Sequence, residues 1–321
     1  MNPMTVGRKI TMPRKNLDRS LLIIDGSNLA HRAYHKFANM RYEGQKTGMI
    51  YGFLRLLQQY AIRFRCKYII VTFDTKQSKS SNFRNELLGS YKIHRKDNLR
   101  IDFEDFNQQA KITKKILKLL NVPVIWDSKG LGHESDDYIG YYAIKHSSTH
   151  SKVTILSSDK DFCQLISKDV KVFNPFKSQL ITPRNCKEVM GYTPDECVDY
   201  LCLLGDHSDD IPGYKGMGEK KTRDFLDQFG SIKAFLKNPS ATFRGIDRDG
   251  LEDLYRRNKE LIDVRVALKK HKLEKIPIIY HKSDTVDREK LKKLFIKYGF
   301  ASFLNPEFFK TFEQLKQYGK L

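Results

Sequence analysis

The chain has 321 residues, with Lys+Arg 58 against Asp+Glu 38 and a formal net charge of +20. Its apolar share of 40% and aromatic share of 12% exclude wholesale disorder, its length suffices for one large core or two packed ones, and its charge points to a polyanion, nucleic acid first. Five cysteines without a CxxC pair exclude a disulfide framework and a zinc knuckle, pointing to a reducing compartment such as the cytoplasm; no apolar run is long enough for a membrane span.

Residues 1–20 are polar and basic, lack the apolar stretch of a signal peptide, and read as a disordered tail. A first strand, LLIID over 21–25, ends at Asp25, and a helical pattern follows over 47–65. A second strand over 68–74 ends at Asp74. Residues 76–101 are basic and poorly patterned, too long for an ordinary connection, and read as a binding loop or arch. A helix over 103–120, a strand over 122–126, a helix over 134–146, and strands over 153–158 and 170–173 complete the first half. This alternation predicts an α/β fold with a mainly parallel sheet flanked by helices over 21–190. From about 191 the strand signals fade, and a helical region is expected to run to 321.

The acids are placed unevenly for so basic a chain. Asp25, Asp74 and Asp159 end apolar runs, at the sheet edge where ligands of such folds bind. Glu134, Asp136, Asp137, Asp161, Asp206 and Asp209 follow in tight groups. A single Asp at a strand end is ordinarily a cap or turn former. So many gathered carboxylates repel one another unless cations or protons intervene. The donor set is nearly all oxygen and the histidines are scattered, which favours Mg²⁺ or Mn²⁺ over zinc. Two such ions about 4 Å apart suit phosphodiester hydrolysis.

Two basic elements accompany the acids. Gly213, Gly216 and Gly218 allow a tight turn before a helix opening near Glu219, and Lys215, Lys220 and Lys221 surround it. That is the form of a helix–hairpin–helix, expected at about 200–230, gripping duplex phosphates through backbone N–H groups. In the loop, Arg84, Tyr91, Lys92 and Arg95 interleave charge with a ring, which suits a single strand.

Together LLIIDGSNLAHRAY, VTFDTKQSKSSNFRNELLGSYK, HESDDYIG, LSSDKDFCQL and GDHSDDIPGYKGMGEKKT resemble the flap endonuclease/5′-nuclease family. The likeness is nearest to the 5′-nuclease domain of bacterial DNA polymerase I and to free-standing phage 5′–3′ exonucleases, and it covers roughly residues 20–305. The resemblance implies a flap endonuclease and 5′→3′ exonuclease acting on branched or 5′-flapped DNA, and often on the RNA of RNA–DNA hybrids. It assigns Asp25, Asp74, Glu134 and Asp136 to one metal ion, Asp159, Asp161, Asp206 and Asp209 to a second, and Asp137 between them. Asp25, Asp136 and Asp161 would be catalytic through those ions. Lys92 and Arg95 match the basic pair of a helical arch at about 76–105, and the hairpin matches the duplex grip, where K⁺ often binds. It further implies a free-standing monomer in the cytoplasm, the host's if the source is a phage. One position departs: Asp210 stands where the polymerase-type motif usually has Asn. A non-cleaving branched-DNA-binding protein of the same fold is the alternative, and the complete acid set weighs against it.

Overall fold

A computed structural model of the protein describes residues 20–74, 82–94, 101–147, 152–270 and 285–316. All but the last residue of the expected tail, the tip of the expected arch and Arg95 lie outside this set.

Strand β1 (Leu21–Asp25) is the centre of a six-stranded sheet because it can be covered on both faces: LLIID is buried along its whole length. Two short strands, β2 (Arg41–Tyr42) and β3 (Gln45–Lys46), form a separate hairpin. Strand β4 (Tyr68–Thr72) pairs with β1 in parallel, and β5 (Val124–Ile125) extends the sheet beyond it. On the other side of β1 lie β6 (Val153–Leu156) and β7 (Val170–Asn174), both parallel, then β8 (Gln179–Ile181), which runs antiparallel. Five of these strands were expected; β8 was not, since QLI is too short to stand out. The chain builds outward from β1 to β5 on one side and then crosses back to β6. That reversal opens a crevice at the carboxyl ends of β1 and β6.

Helices α1 (Gly26–Lys36) and α2 (Gly48–Phe64) follow β1, α3 (Phe83–Leu87) and α4 (Phe103–Leu119) follow β4, and α5 (Ser135–Ser147) follows β5. Alternating strand residues feed two cores. Leu22, Ile24, Ile69 and Val71 pack with Leu29, Phe53 and Ile116 on one face. Leu21, Ile23 and Ile70 pack with Tyr138, Tyr142 and Phe162 on the other. Gly26 opens α1 where a Cβ would lie 2.5 Å from the Thr72 carbonyl oxygen, so the helix start is pressed onto the end of β4.

The helical half consists of α6 (Cys186–Met190), α7 (Cys197–Leu204), α8 (Glu219–Phe229), α9 (Ile232–Lys237), α10 (Arg248–Ile262) and α11 (Val264–Lys270). Gln164 fastens it to the sheet domain: its amide donates to the Ile262 carbonyl at 2.9 Å and accepts from the Val264 N–H at 2.9 Å. The last helices, α12 (Arg288–Lys297) and α13 (Pro306–Glu313), depart from the expected partition at 191–321. They pack on the α2/α4 face, where Phe295, Phe303, Phe308, Phe309 and Phe312 join the same core as Phe53. The reason is aromatic area: each ring buried there removes far more apolar surface from water than the polar hairpin region offers. Phe295 is fully buried. Phe295→Ala is expected to cost about 3–5 kcal/mol in chemical denaturation, with one cooperative transition retained. A loss below about 1 kcal/mol would detach the tail from the core.

Candidate active site and nucleic-acid interface

Each acid reaches the crevice by its backbone position. Asp25 ends β1 and caps α1, accepting from the Asn28 N–H at 2.9 Å and from the Ser157 hydroxyl at 2.8 Å. Asp74 follows β4 and accepts from the Ser135 N–H at 2.9 Å, so it meets the start of α5. Asp159 follows β6 and caps the short 3₁₀ segment Lys160–Leu165 through the Asp161 N–H at 2.9 Å. Asp136 lies in the first turn of α5. Asp206 and Asp209 come from the turn between β9 (Gly205–Asp206) and β10 (Ile211–Pro212). Asp206 accepts from Ser208 and pairs with Lys160 at 3.1 Å.

Burial raises Asp25 to about 7, with Asp74 and Asp159 adding repulsion against the Asn28 and Ser157 hydrogen bonds. Burial also pushes Asp136 and Asp161 well above the ordinary carboxyl range, Asp159 adding most to each, and raises Asp159 itself, with Asp209 and Asp206 repelling it. One oxygen of Asp161 is buried without a hydrogen-bond partner. Glu134 behaves oppositely. Burial would raise it, but Lys92 and Arg84 hold it at about 2.

The cations responsible come from the segment expected to meet a single strand. Lys92 pairs with Glu134 at 2.9 Å and Asp209 at 3.3 Å. Its φ of 55° puts a non-glycine residue in the left-handed region, and its N–H donates to the Asp209 carbonyl at 3.1 Å. Arg84 grips Asp137 with two nitrogens, at 2.7 and 3.1 Å. Asp137 also accepts from the Glu134 N–H at 3.0 Å. Three expectations are therefore corrected. Asp137 is fully buried with both oxygens engaged by Arg84, not open to a metal ion. Arg84 is buried beneath the site and faces no strand. Tyr91 is buried in the core and donates its hydroxyl to Glu134 at 2.9 Å, so its ring is no stacking platform. Glu134 immediately precedes α5.

Sequence reasoning overlooked several supports. Asp127 accepts N–H groups of Leu131, Gly132 and His133 and shapes the approach to α5. Asn258, fully buried, donates to the Cys202 and Pro212 carbonyls and pins the hairpin from behind. The spacing of Asn28 three residues after Asp25 is a readable capping signal; Asn258 carried none.

Lys215, Gly216, Gly218, Lys220 and Lys221 are all exposed on the hairpin and the opening turn of α8. Gly216 has φ 82°, and a Cβ at Gly216 or Gly218 would meet nothing. Gly213 differs: its Cβ would lie 2.3 Å from the Leu204 carbonyl, so packing against α7 requires it. Asp210, at φ 57°, accepts from the His94 N–H at 3.0 Å and holds its ring at 2.9 Å, tying the hairpin turn to the base of the arch segment.

Among the described residues no three His, Cys, Asp or Glu side chains already converge tightly enough to grip an ion. The donor chemistry nevertheless fits hard divalent cations: several oxygen ligands, raised by burial and mutual repulsion above the ordinary carboxyl range, one of them unpartnered. A sheet crevice lined with carboxylates beside an exposed glycine–lysine hairpin defines a phosphodiester-cleaving nuclease class. Residues 20–191 match the 5′-3′ exonuclease N-terminal resolvase-like domain and residues 192–278 the 5′-3′ exonuclease C-terminal SAM fold. The chain belongs to the 5′-3′ exonuclease family. It is 33% identical over 263 residues to the 5′-3′ exonuclease of Aquifex aeolicus (strain VF5), covering 80% of this chain and 86% of that one. It is also 33% identical over 288 residues to the thermostable DNA polymerase I of Thermus aquaticus, covering 89% of this chain but 32% of the polymerase. The fold resembles the T5 D15 protein co-crystallised with metal ions, with a TM-score of 0.67, 21% identity, and coverage of 87% and 98%.

Two outcomes follow from the electrostatics. Arg84→Ala is expected to destabilise the protein by about 3–5 kcal/mol in EDTA, because it strands a buried carboxylate. An unchanged stability with weakened DNA binding would restore Arg84 to the interface. For Asp25 the folded pKa of about 7 exceeds the ordinary carboxyl value. Ionised Asp25 therefore opposes folding above pH 7, and this opposition fades as pH falls toward 4. Asp25→Asn is expected to raise Tm in EDTA at pH 8 and to change it little at pH 4.5; an equal shift at both would remove this cause.

Proposed function

We propose that the protein is a structure-specific 5′-nuclease, a flap endonuclease and 5′→3′ exonuclease that hydrolyses DNA where a 5′ single strand meets duplex. The observation that carries this reading is the group of buried acids gathered at the β1/β6 crevice, whose carboxyls are pushed above the ordinary range by burial and mutual repulsion. Asp25, Asp74, Glu134 and Asp136 would hold one divalent ion, and Asp159, Asp161, Asp206 and Asp209 a second, Mg²⁺ or Mn²⁺ in each case. When bound, such ions supply an activated water and charge stabilisation at the phosphodiester.

The chain's own groups do the rest. Lys92 is delivered to the acids by a strained backbone and carries fixed positive charge where phosphate charge develops. Arg95 is its proposed companion from the arch. Arg84 and Asp137 hold Glu134 and the start of α5 in place. Lys215, Lys220 and Lys221 hold duplex phosphates, with Gly216 and Gly218 leaving the backbone N–H groups bare and K⁺ seated on hairpin carbonyls. RNA–DNA hybrid is a further substrate of this reading, and the enzyme works as a monomer. All five cysteines are buried and none is in a disulfide, which supports a reducing setting, the cytoplasm.

A labelled 5′-flap duplex with Mg²⁺ tests the reading. Wild type should cut near the junction, Asp136→Asn and Asp161→Asn should lose at least about 10²-fold in rate, and EDTA should abolish cleavage. Lys92→Ala should depress single-turnover cleavage far more than flap affinity. An intact flap with wild type, or equal rates for wild type and Asp161→Asn, overturns the proposal.

A further inference from the structure

A second basic surface lies outside the carboxylate crevice. Helix α4, the segment after β5 and helix α12 enclose an open groove of about 500 Å³. Lys111, Lys114, Lys115 and Lys118 of α4 face Lys297 of α12 across it, and no acidic residue lines it. Trp126, the chain's one tryptophan, lies in its wall with Tyr298, and Ile112 and Leu294 supply an apolar floor. Lys114 sits 4.8 Å from the centre of the Phe73 ring and 5.3 Å from that of Trp126, and Lys118 lies 5.5 Å from the latter. Phe73 immediately precedes Asp74, and the Asp74 carboxylate acts electrostatically on Lys114, which links the Lys114 side of the groove to the acids.

Such a groove is short of negative charge. Among the described residues none of the five lysines has a carboxylate within ion-pair distance. Burial lowers the Lys114 ammonium to about 8, Asp74 opposing and neighbouring Lys118 adding to the fall. Lysines repelling one another around the half-buried Trp126 ring fit a flexible polyanion that carries flat rings. A duplex presents its phosphates but keeps its bases stacked, whereas a single strand offers both.

We propose that this groove binds single-stranded nucleic acid beside the catalytic crevice, phosphates on the α4 lysines and Lys297, a base against Trp126. The inference rests on the reading that the substrate is DNA. The strand is either the displaced 5′ strand or the unpaired template; both offer the same chemistry.

Because Trp126 is alone, its fluorescence reports this groove and no other site. The full chain in EDTA is titrated with fluorophore-labelled oligo(dT), with anisotropy and Trp126 emission followed together. The emission is expected to be quenched in step with the anisotropy rise. Lys115→Glu/Lys118→Glu, both at exposed positions, should weaken this binding about tenfold or more and lower the salt slope by about 0.7 per lysine. Duplexes with a 5′ or a 3′ overhang then show which strand quenches. Binding by anisotropy with unchanged Trp126 emission, or wild-type affinity in the double variant, overturns the groove while leaving the nuclease reading intact. Absence of any oligo(dT) binding, with flap cleavage retained, also overturns it. Equal quenching by a polyglutamate of matched charge would reassign the groove to an acidic protein surface.

Discussion

Like charges crowded into one poorly hydrated crevice are the constraint on which the rest of this structure turns. Asp25, Asp136, Asp159 and Asp161 each repel a neighbour, and burial magnifies the repulsion. Without compensation the crevice would not close. The chain compensates most strongly on one side, with Lys160 against Asp206 on the other. Arg84 and Lys92 come in beneath Glu134, Asp137 and Asp209, and the carboxyl of Glu134 is held at about 2. Across the crevice Asp25 is raised to about 7. Carboxyls with opposite shifts in one cleft mark a site built for charge to be supplied from outside.

The scaffold explains why these groups meet. The sheet fixes the β1, β4 and β6 ends within one edge, and strand ends are the most rigid places from which to project a side chain. The helical half brings Asp206 and Asp209 to the same edge only because α10 and α11 are locked to Gln164 and to the hairpin through Asn258. Asp210 adds a link that an ordinary turn residue would not. Its left-handed backbone turns its carboxylate toward His94, so the hairpin turn and the arch segment share one hydrogen-bonded corner. The Asp210 carboxylate is engaged by His94 through both its oxygens.

The strands were legible because a strand buried on both faces has no polar alternation to disguise it: LLIID and YIIVT read as continuous apolar runs. The placement of Asp25, Asp74 and Asp159 at one sheet edge was legible from those strand ends. The segment carrying Arg84 and Tyr91 was misread for the opposite reason. Its polarity suggested exposure, yet Arg84 is buried by Asp137 and by the Leu261 carbonyl, 177 residues away, and no local pattern encodes a partner so distant. Asp137, expected between two ions, instead turns its carboxylate back to the Glu134 N–H and to Arg84, because α5 begins at Ser135. The tail aromatics were legible as helical, but not the face they would cover.

The cations buried against Glu134 and Asp137 are already spent, and this divides the protein's charge into two populations. Arg84 and Lys92 interact at close range in a dry site, where added salt screens little. Lys215, Lys220 and Lys221 stand in water, as do Lys111, Lys115, Lys118 and Lys297, and a Debye length of about 8 Å at physiological ionic strength weakens them as salt rises. Grip on a polyanion and chemistry at its phosphodiester therefore draw on different charges. Ionic strength acts on the first through counterion release and leaves the second largely untouched. A net charge of +20 is then no contradiction of an acidic centre: the excess stands in water on exposed lysines, which suits a polyanion, while the acids are buried at the crevice out of its reach.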